Sequence, residues 1–197
     1  MNVSLIELQY FQDLHDRRYH ADIYGLPLMR RMAHLHNHMV KYSANKVRRL
    51  DSHCDAIACL LSMANALNIS LSAALSKWSG EFVTDMTEVP LMYRTDRLES
   101  QLSNVLGQMA KIIEGHDHTE SIDYRDDLRE AVIELFIVYS GIRVELDQHF
   151  WATTQTEYIQ RMFDLKSKHI FYGFFTELDT QDKVYLSFFR MWQAAQQ

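Results

Sequence analysis

The sequence predicts an all-α protein, an antiparallel helical bundle, and three observations carry that expectation. Apolar residues recur at three- and four-residue spacings, β-branched alternation is scarce, and only two prolines and six glycines interrupt the 197 residues. Helices are expected over 4–20, 26–46, 51–67, 71–78, 92–114, 123–142, 145–170 and 180–195. The second carries an arc of Met29, Met32, Met39 and Val40, on which His36 falls as a hydrogen-bonded core or interface histidine. The third is apolar nearly all round from Asp55 to Leu71, broken by a stripe of Asp55, Ser62 and Asn65. Such a helix is buried, so its stripe meets something other than bulk water, and Asp55 is either a ligand or a paired structural acid. Thr84, Asp85 and Thr87 mark a turn-rich connection between Gly80 and Pro90. The helix from 92 ends near Gly115, and the next is filled by Ala131, Val132, Leu135, Phe136, Val138 and Ile142. The last presents Tyr185, Phe188, Phe189 and Trp192 as one i, i+3, i+4, i+7 aromatic face.

Three segments follow: a helical half over 1–80, a linker over 81–91, and a second half over 92–197 ending in the aromatic helix. Laid without a gap on Glu130–Leu146, the stretch Asp55–Leu71 pairs acid with acid, Ile57 with Val132, Leu60 with Leu135 and Leu71 with Leu146. Two pseudo-symmetric helical halves would explain the match.

A formal net charge of -6 argues against broad nucleic-acid binding. The basic Lys46, Arg48 and Arg49 read as a solvated turn. Cys54 and Cys59 diverge on one helix and read as small core residues in a reducing cytoplasm. Neither an export signal nor a membrane span is supported, and no Gly-rich phosphate loop, Cys-x-x-Cys, Gly-x-Ser-x-Gly or His-Glu-x-x-His pattern occurs.

The segment Leu14-His15-Asp16-Arg17-Arg18-Tyr19, the helix Leu28-Met29-Arg30-Arg31-Met32-Ala33 and the run Ala66-Leu67-Asn68-Ile69-Ser70-Leu71-Ser72-Ala73-Ala74-Leu75 resemble the MazG-like all-α nucleotide pyrophosphohydrolases. The resemblance covers residues 8–78. It implies a Glu-Glu-x-x-Glu on one helix and a Glu-x-x-Asp on the next, holding Mg²⁺ for hydrolysis of a nucleoside triphosphate to monophosphate and pyrophosphate. Here the first set falls on His34, Leu35 and His38 and the second on Ser52 and Asp55, so one acid remains. In the second half the positions fall on Ser103, Asn104 and Gly107, with Asp127 and Glu130 opposite. Mg²⁺ requires hard oxygen ligands, so it is not expected at the family position.

Two i, i+4 pairs, His34 with His38 and Asp51 with Asp55, could instead hold a divalent transition metal; capping and the helix dipole also explain the two acids. Lys41 and Asn65 are the candidate nucleotide contacts. Asp127, Glu130 and Glu134 form an acidic stripe that Arg94, Arg97 or Arg125 could answer, and His116 and His118 read as a polar turn. Tyr185, Phe188, Phe189 and Trp192 either finish the core or form an interface for a homodimer or a protein partner. The leading expectation is a non-catalytic scaffold that binds a nucleotide or a protein. Its rivals are a pyrophosphohydrolase with a remodelled His/Asp metal site, and a regulator or inhibitor acting through protein contact.

Overall fold

Ser4 opens the first helix with a reciprocal cap: its Oγ accepts from the Glu7 N–H at 3.3 Å while Glu7 Oε2 accepts from the Ser4 N–H at 3.0 Å. The computed structural model describes residues 3–43, 50–88, 97–117, 124–146, 157–163 and 183–194. In chain order the helices are α1 (Leu5–Tyr19), α2 (Ala21–Tyr24), α3 (Leu28–Ser43), α4 (Leu50–Ala66), α5 (Leu71–Ser79), α6 (Leu98–Asp117), α7 (Tyr124–Leu146), α8 (157–163) and α9 (Lys183–Ala194). The described residues contain no strand beyond an isolated antiparallel bridge between Ser4 and Asp85, and the protein is all-α. No single helix among them is long and apolar enough to cross a membrane.

Helix α4 lies centrally because its sequence is apolar on every side. Ala56, Ile57, Leu60, Leu61, Met63 and Ala64 have no exposed surface. It packs against α1, α3 and α7, while α6 packs against α3 and α7, so α3, α4, α7 and α6 close a four-helix ring. Residues of both expected halves join one hydrophobic core running from Val3 to Phe188.

The turn after α4 uses Asn68 in the left-handed region (φ 54°), and α5 then begins at Ser70, whose Oγ accepts from the Ala73 N–H at 3.4 Å. Gly80, at φ 74°, ends α5 with its N–H on the Ser76 carbonyl, a cap conformation that glycine adopts without strain. The chain from 81 to 88, expected as part of a linker, lies back along α1 and α5: Leu5 N–H donates to the Thr84 carbonyl at 2.8 Å, Ser72 Oγ donates to the Val83 carbonyl, and Val83 and Met86 are buried.

Two expected helix ends move. Helix α6 continues through Gly115 to Asp117, because this glycine serves packing: a Cβ there would lie 2.9 Å from the Tyr124 hydroxyl at the start of α7. Helix α7 runs on to Leu146, past the break expected after 142.

Candidate functional site

Helix α3 places Arg31, His34, Leu35, His38, Lys41 and Tyr42 on one face through its three- and four-residue spacing. Opposite them, α1 brings Gln12, His15 and Asp16, α4 brings Asp55, Ala58, Cys59 and Ser62, and α8 brings Arg161 and Met162. His20, Ile23 and Tyr24 close one end. Together they line a cavity of about 350 Å³, at the small end of the range for ligand pockets.

Asp16 anchors the floor. Its carboxylate accepts from Gln12 Nε2 at 2.7 Å, Ser62 Oγ at 2.6 Å and Arg31 Nη2 at 3.4 Å, and Gln12 Oε1 accepts in turn from the Tyr158 hydroxyl at 2.6 Å. Burial pushes the Asp16 carboxyl above its ordinary value, and the bonds from Ser62 and Gln12 and the charge of Arg31 offset part of that rise. Tyr24 lies between two guanidiniums, with Arg31 at 4.6 Å and Arg17 at 5.2 Å from its ring centre. Burial also raises the Tyr158 hydroxyl and the Cys59 thiol, so neither ionises at neutral pH.

Asp55 meets Arg161 in a bidentate pair, Nε to Oδ1 at 2.9 Å and Nη2 to Oδ2 at 3.1 Å. The stripe seen in the sequence is thus answered in full. Asp55 holds Arg161, Ser62 donates to Asp16, and Asn65 exchanges bonds with Gln9 at 3.0 and 2.8 Å.

His34 and His38 meet in a tilted contact with ring centres 4.7 Å apart. His38 Nδ1 lies 3.5 Å from the Tyr42 hydroxyl, and Lys41 Nζ sits 5.5 Å over the Tyr42 ring. Burial, followed by the charges of His34, Lys41 and His20, holds the His38 pKa below its ordinary value, with Asp55 opposing. The Tyr42 hydroxyl is pushed up to about 12, first by burial.

Of the residues singled out in the sequence, His34, His38, Lys41 and Asp55 share this cavity, and Asn65 does not line it. The side chain of Asp51 lies outside the described residues. Among those described, no three His, Cys, Asp or Glu side chains converge as a metal-ligand set. Asp127, Glu130 and Glu134 lie on α7 along surface clefts, where Glu134 Oε1 accepts from Gln101 at 3.0 Å. Of the arginines expected to answer them, Arg94 lies outside the described residues; Arg129, on α7 itself, instead bonds the Leu67 carbonyl at 3.1 Å and Asp126 at 3.1 Å. His36 Nε2 lies 2.9 Å from the buried Leu106 carbonyl, as its arc implied. His116 is exposed and His118 lies outside the described residues.

The aromatic face of α9 packs within the chain. Phe188 meets Phe11 at 5.0 Å, Tyr185 meets Phe163 at 5.2 Å, and Phe189 and Trp192 stack on each other and meet Phe163 in tilted contacts. Cys54 and Cys59 are free thiols.

Sequence reasoning missed Asp16, Gln12, Arg31 and Arg161 as site residues. Gln12 and Asp16 left a signal, polar residues one turn apart on a helix face that is otherwise core, and Arg31 stands one turn before His34. Arg161 left none, because its role depends on the path of the chain after α7.

The fold and this cavity place the chain among all-α proteins. No family model, no curated protein and no solved structure matches it.

Proposed function

We propose that this protein is a non-catalytic, MazG-like helical scaffold, built as two related halves, that binds a nucleotide in the cavity between α1, α3, α4 and α8. One observation carries the reading: Arg31, Lys41, Arg161 and the histidines 15, 20, 34 and 38 line a single small cavity beside the rings of Tyr24 and Tyr42. A compact phosphorylated ligand with a planar ring matches such a lining, since cations answer phosphate and aromatic rings stack on a base.

The donor set does not fit the Mg²⁺ of the resembled family. Its positions carry His34, Leu35, His38 and Ser52, and both oxygens of the remaining Asp55 are bonded to Arg161. The missing ligands support a binding role over hydrolysis.

Thermal unfolding with ribo- and deoxyribonucleoside mono-, di- and triphosphates, read beside a pyrophosphate-release assay with Mg²⁺, tests the reading. A ligand that binds the native state raises Tm, and the rise grows with the logarithm of free ligand above its Kd. The expected result is a Tm rise with at least one nucleotide and no release of pyrophosphate; turnover with Mg²⁺, or no Tm shift with any nucleotide, contradicts it. The adjacent rings of His34 and His38 in the cavity favour a second reading, a hydrolase using Mn²⁺ or Zn²⁺ on these two residues with Asp51 and Asp55. That reading requires Arg161 to release Asp55, and it predicts turnover with those metals that disappears in Asp55→Ala.

A further inference from the structure

The charges in the cavity are not evenly committed. Arg31 is turned onto Asp16 and Arg161 onto Asp55, so each buried or half-buried carboxylate takes up one guanidinium. Lys41 forms no ion pair among the described residues; its contact is the Tyr42 ring. His38 and His34, one and two turns before it on the same cavity-facing side of α3, contact each other, and His38 also meets Tyr42. His38 engages the Tyr42 hydroxyl through Nδ1, and no hydrogen bond to its Nε2 forms among the described residues. Three nitrogen-bearing side chains thus share one wall, and the carboxylate that acts on them, Asp55 on α4, is taken up by Arg161.

We propose that His34, His38 and Lys41 form a phosphoryl subsite that grips the anionic end of the ligand directly, with no bridging metal ion. The proposal rests on the reading of the cavity as a nucleotide site and specifies which end of the ligand lies where. Cationic side chains on α3 then occupy the helix positions where the resembled family places carboxylates for a cation.

Around His38 lie His34, Lys41 and Tyr42 on α3, His20 at the α1–α2 junction and Asp55 on α4. Asp55 is the only carboxylate in that set, and it is bonded to Arg161. The second carboxylate of the cavity, Asp16, is bonded to Gln12, Ser62 and Arg31. The phosphoryl oxygens accept from the His38 and His34 N–H groups and from the Lys41 ammonium.

The test follows the imidazole resonances of His34 and His38 by NMR in the full chain, with EDTA present, during titration with inorganic sulfate and inorganic pyrophosphate. The expected result is a saturable shift of both histidine signals with each anion, reached with no metal ion present. Lys41→Gln, at an exposed position, weakens binding by about tenfold. His38→Gln weakens binding of the same anions. Anion binding that leaves both histidine signals unmoved, or no anion binding, overturns the proposal, and the wild-type spectra decide this even if a variant misfolds. If nucleotides bind while the inorganic anions and both variants show no effect, the subsite falls and the cavity reading stands. If the anions bind through His38 while no nucleotide binds, the subsite stands and the nucleotide reading falls.

Discussion

Asp55 and Arg161 tie α4 to α8 across more than a hundred residues of sequence, with side chains 16% and 30% exposed. Removing one partner leaves the other half-buried and uncompensated. Arg161→Ala is therefore expected to lower unfolding free energy by about 1–3 kcal/mol, less than for a fully buried pair because water still reaches the arginine. Urea denaturation of both single variants and the double variant checks this: the double variant should lose less than the sum of the singles. Asp16 behaves differently, since burial raises its pKa above 3.8. Between that value and the raised one the folded protein holds a proton that the unfolded chain has released. Relative to Asp16→Asn, the wild type should therefore lose stability as pH rises through that window and level off above it. Denaturation curves for both proteins across acidic pH measure the difference, and a wild type that gains on the variant as pH rises contradicts the assignment.

Among the elements, the α4–α5 turn is fastened to α1 by one glutamine. Gln9 Nε2 donates to Asn65 Oδ1 at 3.0 Å and the Ile69 carbonyl at 2.7 Å, and its Oε1 accepts from the Leu71 N–H at 3.0 Å. Gln9→Ala strands these buried groups and is expected to cost about 2–3 kcal/mol, read as a lowered urea midpoint with an unchanged slope. At the other end, α9 is held by aromatic packing. Phe188→Ala opens a cavity beside Phe11 and is expected to cost about 3–5 kcal/mol in thermal or urea unfolding. The helices themselves were legible because spacing encodes burial: the apolar run of α4 and the Tyr185–Trp192 face both lie where their periodicity placed them. Their ends were less legible, since Gly115 reads as a stop in sequence and serves helix contact in space.

At the scale of the whole molecule, the four-helix ring and the flanking α1 and α8 bring residues 12 to 162 around one cavity. The α3 wall could be read in sequence, because His34, His38 and Lys41 share a helix face. The opposite wall could not, because Asp16, Ser62 and Arg161 meet only through long-range packing, and a polar residue at a core position does not name its partner. The same geometry separates the account from a metal-dependent one. Isothermal titration of the wild-type protein with nucleoside monophosphates and the matching nucleosides, in EDTA, tests it most directly. The account predicts saturable heat with at least one nucleotide and a markedly weaker response to its nucleoside; equal responses, or binding that appears only when a divalent metal is supplied, would contradict it.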